Sequence, residues 1–306
     1  MDVNTSEVAA GDTFGRAIKS RLHASAWQWL SAQVDSVAAD PNPGRTARVF
    51  TSLPRQLKTD GTSPTVSLNE TYENQSGLPL VVRAWPMARL ARVWLLMRIP
   101  KLNEADYVQL IARLFKYGDM EELVALYSAL PVYHYPEAWL THCQEGIRSN
   151  IGLVRHAVMV DNPYPAHFLD EDAWNQLVLK AFFTDEDIPH IIGLKRRNNL
   201  RLAQALTDYA YERYAAHREI NPMLWILVGP FMDGRAFELM ERIIGESQVP
   251  LEQRAIRYAF EHCNYGGAQQ YLKEHQLPAS LLECRGTPWE IWDNDIVSIT
   301  NEDTNQ

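Results

Sequence analysis

Three consecutive cations, Lys195, Arg196 and Arg197, stand directly ahead of a helix that opens at Asn199. A helix N-terminus offers free backbone N–H groups and a partial positive charge, and both favour anions. Three cations beside such a terminus suit a phosphate or diphosphate. The competing reading is a solvated basic loop that pairs with nearby acids. Further along the same helix, Asp208 and Glu212 are four residues apart, so their carboxylates share one side. If a groove desolvated them, one pKa would rise and that residue could act as a general acid. Arg201 and Arg218 could equally neutralise them in a structural network. Tyr209, Arg213 and Trp225 complete a groove candidate that would accept a flat aromatic or prenylated metabolite. Core packing is the alternative use of such aromatic residues.

Other familiar chemistry is absent from the chain. Nine histidines are scattered without an HExxH or HxH set, so no metal site is expected. No GxSxG elbow, GxGxxG turn or Walker-type loop occurs, and no cofactor is expected. Cys143, Cys263 and Cys284 are far apart and lack CxxC spacing, which reads as reduced, buried thiols. On these residues an enzyme is less expected than a binding protein.

The segment that positions the candidates runs from Asp187 to Pro230. Asp187 can cap a short turn through Ile188, Pro189 and His190, and Gly193 permits the left-handed stop that follows. Asn198 or Asn199 caps a helix with Leu202, Leu206, Tyr209 and Ala210 on one broad side. Asn221-Pro222 opens another, in which Met223 to Val228 are apolar all round, so it belongs at the centre of a core. Upstream, Thr13 to Ala39 reads as one long helix. Residues 40–79 read as a surface excursion with short helical pieces near Thr46 to Lys58. Asn103, Asp119, Asp170 and Asp233 are placed as caps, Gly118 as a helix stop, and Pro86, Pro136 and Pro250 as helix openers. No period-2 run is long enough to predict a sheet.

The run from Gly193 through Asp208-Tyr209-Ala210, Glu212-Arg213, Arg218 and Leu224-Trp225 to Val228-Gly229-Pro230-Phe231 resembles the EboA family. So does Trp85…Ala88-Arg89-Leu90-Ala91-Arg92-Val93…Leu95-Leu96. The resemblance covers roughly Arg83 to Cys263. Lys195 stands where the family usually has an acidic residue. The resemblance implies a bacterial protein of an ebo gene cluster and brings no catalytic residues with it. It implies an accessory role, binding a partner protein of the pathway or a small metabolite. The rival reading is an enzyme acting on a phosphorylated or prenylated molecule, with Arg197 on the anion and Asp208 or Glu212 as acid–base group.

Taken whole, the 306 residues carry a net charge of −9, which argues against nucleic acid as a partner. The apolar run near Leu90 to Ile99 is short and holds Arg92 and Arg98, so no integral membrane segment is expected. Arg83, Arg89, Arg92 and Arg98 give only a hint of a basic membrane-surface face. The opening MDVNTSEVAAGD lacks the features of a signal peptide, which points to a cytoplasmic location. A short leucine-rich helix followed by a Trp- or Phe-bearing helix recurs about every 30 to 35 residues, with Trp139 and Trp174 in similar places. The fold class expected is all-α: stacked antiparallel helix pairs forming a HEAT-like α-α superhelix, with an irregular helical bundle as the alternative. Three segments follow from this: an N-terminal helix and excursion at 1–82, a helical-repeat domain at 83–285, and an acidic tail at 286–306. Trp289, Ile291 and Trp292 are expected to pin part of that tail to the body.

Overall fold

A computed structural model of the chain describes residues 14–57, 65–73 and 78–275. The acidic tail with Trp289, Ile291 and Trp292, together with Cys284, lies outside the described residues. The described residues are mostly helical, and the chain divides into two compact units, Met1–Leu169 and Asp170–Gln306.

The first unit contains α1 (residues 14–19), α2 (Ala24–Ala39), α3 (Pro43–Gln56), β1 (Thr65–Glu73), β2 (Pro79–Pro86) and α4 (Met87–Met97). It continues through α5 (Glu104–Tyr117), α6 (Met120–Ser128), α7 (Leu140–Arg148), α8 (Gly152–Met159) and α9 (Tyr164–Phe168). The single helix expected from Thr13 to Ala39 is interrupted at residues 20–23. There the Ser20 hydroxyl and an Arg21 guanidinium N–H both donate to the Ala17 carbonyl, at 3.0 and 2.9 Å, and compete with the helical ladder.

The excursion expected over 40–79 is more regular than its prolines and glycines imply. Asn42 caps α3, its side-chain oxygen accepting from Gly44 N at 3.0 Å and Arg45 N at 3.2 Å. Pro43 fills the first helical position, where no donor is needed. The expectation of no sheet is corrected: β1 and β2 form an antiparallel hairpin. Val66, Leu80 and Val82 alternate inward and are buried, but each run is too short to announce a strand by itself. The register shifts twice, between Val66 and Leu68 and between Leu68 and Tyr72.

Local caps behave as their residue types dictate. Asn103 accepts from Asp106 N, and Asp119 and Glu122 form a reciprocal capping box at the start of α6. Gly118 stops α5 as expected, in an extended conformation with φ −67° and ψ 138°. Helix α6 packs against α4 and α8. A buried ion pair ties this core: Arg92 Nη2 lies 3.6 Å from Glu122 Oε1, with both side chains almost fully covered. Arg92 Nε donates to the Phe50 carbonyl at 3.2 Å, which brings α3 into the same network. Burial of Arg92 and an ion pair between Arg83 and Asp161 also dissolve the basic membrane-surface face suggested by the four arginines. No helix among the described residues is long and apolar enough to cross a membrane.

The second unit contains α10 (Glu171–Phe183), α11 (Leu200–Ala215), α12 (Met223–Val228), α13 (Gly234–Glu246), α14 (Pro250–Glu261) and α15 (Gly266–Glu274). Every residue of α12 is buried, and this helix packs against α11 and α14. Gly229 follows it, and a Cβ there would meet the Ala259 backbone at 2.9 Å, so only glycine lets the chain pass so close to α14.

Candidate functional site

The second unit carries a cleft of about 500 Å³, within the range of about 300–1,000 Å³ usual for small-molecule sites. Its walls come from the end of α10, the turn after it, the second half of α11, the loop into α12 and the start of α14. Phe182, Ile188, Ile220 and Met223 are buried and give it an apolar floor. Asp185, Glu186, Asp187 and Glu219 stand around that floor, against one guanidinium, Arg213. Four carboxylates and one cation leave three net negative charges.

Local chemistry holds these groups in place. Asp185 takes a left-handed conformation, φ 53°, which aspartate tolerates better than most residues and which turns the chain after α10. Glu186 N then bonds back to the Ala181 carbonyl at 3.0 Å. The 3₁₀ turn Ile188–His190 opens at Asp187. Asp187 sits 2.9 Å from His190 Nδ1, which ties the carboxylate to the turn instead of to a helix N–H. On α11, Tyr209 and Arg213 are one turn apart and face the same way. Tyr209 donates to the Phe182 carbonyl at 3.3 Å, and Arg213 clamps the Glu219 carbonyl through Nε and Nη2 at 2.8 and 2.5 Å. Arg213 therefore fixes the loop that brings Glu219 and Ile220 to the cleft. The cleft can hold an apolar body on its floor and a cation or hydroxyl at its rim. Its charge opposes a phosphate.

Of the groove candidates, the structure brings Tyr209 and Arg213 to the cleft. Trp225 is fully buried in α12 and does not line it. Asp208 and Glu212 are exposed on α11, and Asp208 pairs with Arg235. That hydrogen bond, the largest influence on Arg235, pushes its pKa up. Tyr211 and Tyr214 are engaged with the Arg235 carbonyl and with Glu246.

The basic loop forms a separate place. Gly193 is left-handed at φ 82°, as its position requires. Lys195 and Arg196 are exposed, whereas Arg197 lays its guanidinium over the Trp174 ring at 4.9 Å. Burial lowers the Arg197 pKa, Arg196 lowers it further, and Asp170 and Glu171 oppose both. Asn199 caps α11 by accepting from Leu202 N at 2.9 Å and exchanges amide bonds with Asn175. Arg201 reaches Asp172 at 2.8 Å and Glu171 at 3.5 Å. Acids of the first turn of α10 thus face this loop.

Sequence reasoning missed Asp185, Glu186 and Glu219. The available signal was the run Asp185-Glu186-Asp187 between two helical patterns, which reads equally as a solvated turn. Among the described residues, no group of three or more His, Cys, Asp or Glu side chains is gathered in a metal-binding arrangement. Cys143 is buried, which pushes its thiol pKa up, and Cys263 is also buried and unbridged. A family model described as "Metabolite traffic protein EboA" matches residues 11–229, a span that includes all of the cleft residues except Leu251. No curated protein and no solved structure matches the chain.

Proposed function

The chain belongs to the EboA family, and from that membership we propose that it is a non-catalytic accessory protein that holds a small metabolite for an ebo-type biosynthetic pathway. The observation that carries this reading is the cleft of the second unit, with its apolar floor and acidic surround. The ligand class that fits is an amphipathic molecule with an apolar ring or chain and a cationic amine. Apolar burial supplies affinity, and the carboxylates select the sign of the polar end. A family described by metabolite traffic supports holding and release over turnover. A partner protein would receive the metabolite, and the surface that meets it is not identified by the cleft.

The enzymatic reading needs Arg197, Asp208 and Glu212 in one enclosed pocket. At 1.5 Å per residue, α11 sets Asp208 about 13 Å along the helix from its cap at Asn199, and Glu212 a full turn further. Asp208 and Glu212 are exposed there, and none of the three lines the cleft. Isothermal calorimetry with tryptamine and with indole-3-acetate tests the proposal, since the two probes share a ring and differ in charge. Saturable tryptamine binding that weakens about tenfold in Asp187→Asn is expected, with indole-3-acetate far weaker. Equal binding of both probes, or binding of neither, would overturn it.

A further inference from the structure

Two arginines three residues apart on α4 are treated differently by the fold. Arg92 is buried against Glu122 and the Phe50 carbonyl. Arg89 stacks its guanidinium on the Trp85 ring at 4.2 Å, and its Nε is out of solvent without a hydrogen-bond partner. Asp161 and Glu121 attract it through space only, and Asp161 is already bonded to Arg83 Nε at 2.7 Å. Burial outweighs both acids and pulls the Arg89 pKa down to about 10. A guanidinium Nε that is out of solvent and makes no hydrogen bond is costly, so it needs an explanation.

Arg89 lines a small pocket of about 20 Å³ with Arg83, Ser128, His156, Asp161 and Asn162. That is room for one water-sized group. Several of the other polar groups are engaged. The Ser128 hydroxyl donates to the Val124 carbonyl, and the Asn162 amide donates to the Tyr127 and Ala157 carbonyls at 3.0 Å each. The Asn162 oxygen accepts from Tyr164 N at 3.1 Å. The Arg89 Nε donor remains without a partner. Two guanidinium groups against one carboxylate give the pocket a net positive charge. Helix α4 starts at Pro86 without a side-chain cap, so its positive end lies within a turn of Arg89. Ala84, between Arg83 and Trp85, is held at φ 52°, a conformation alanine rarely adopts, and Asp161 is held at φ 55° on the opposite wall.

We propose that this pocket is an anion site in which an oxygen of a carboxylate or phosphate group enters and accepts hydrogen bonds from Arg89, with the rest of the ligand outside the mouth. It rests on residues of the first unit and is independent of the cleft. Its size admits only the tip of a ligand, so the recognised feature is the charged end.

Thermal melting of wild type and Arg89→Met, each titrated with sodium acetate and with sodium phosphate, tests the site. General salt effects act on both proteins and cancel in the comparison. Wild type should gain about 2–5 °C at saturation and Arg89→Met should gain none. A response to acetate alone assigns a carboxylate, and a response to phosphate at tenfold lower concentration assigns a phosphate. Parallel responses of the two proteins would overturn the proposal. Should Arg89→Met fail to fold, wild-type crystals soaked in sodium bromide decide: an anomalous peak beside the Arg89 guanidinium is expected, and water alone in the pocket would overturn the site.

Discussion

The cleft around Tyr209 and the pocket beside Arg89 differ in both size and sign. The first offers about 500 Å³ and an excess of carboxylates; the second offers about 20 Å³ and an excess of guanidinium. Neither coincides with the cationic run Lys195-Arg196-Arg197, which has the acids of α10 opposite it. The difference teaches that a run of cations along a chain says little about where an anion would settle. In the first unit the informative cation is a single arginine whose neighbours are occupied elsewhere.

The contrast breaks most severely at Arg92, which is buried with an acid beside it. Glu122→Ala would strand Arg92 in the core and should cost roughly 3–5 kcal/mol, read as a lower urea midpoint. Arg89→Met should do the reverse in buffer free of small anions, raising stability by about 1 kcal/mol at neutral pH, because it removes a largely buried charge whose Nε makes no hydrogen bond. The sign follows from linkage. The folded pKa of Arg89, about 10, lies below that of an arginine in the unfolded chain, so the cost is present in full well below pH 10. It fades as pH rises above about 10, and the gap between wild type and Arg89→Met should narrow there. Melting curves of the two proteins across those pH values check this, since other titrations are common to both.

The cleft sharpens the comparison from the other side. Glu219→Gln should weaken tryptamine binding by about tenfold, near 1.4 kcal/mol, while leaving the acetate and phosphate responses of the first unit unchanged. Calorimetry and melting on the same preparation separate the two. The smallest effect is expected at Asp208. Asp208→Asn removes an exposed pairing with Arg235, which solvent screens, and should leave both tryptamine affinity and melting temperature at wild-type values. An enzymatic role for Asp208 would show instead as a loss of turnover without a change in stability.

What the sequence makes legible here is local. Asn42, Asn103, Asp119, Asp170, Asn199 and Asp233 all accept hydrogen bonds from helix N–H groups two or three residues on, and that chemistry needs no tertiary information. The apolar girdle of Met223 to Val228 announces its own burial. Asn42 follows the same rule, but the prolines and glycines of 40–79 around it mask the helix that it opens. The hairpin was hidden because neither strand alternates for long enough alone. The sites were hidden for a different reason. Arg83 finds Asp161 across 78 positions and Tyr209 finds Phe182 across 27, and no spacing rule along the chain relates such partners. Tyr209 and Arg213 were legible as a face of α11, but the acids that share their cleft came from loops whose folding depends on the whole unit.

The central claim is that a small cationic ligand settles in the second unit's cleft. Hydrogen–deuterium exchange of the full chain with and without saturating tryptamine locates it directly. Slower exchange confined to residues 182–190 and 209–223, with residues 83–92 and 156–162 unchanged, is the expected result. Protection centred elsewhere, or none at a concentration where calorimetry shows binding, would contradict the account.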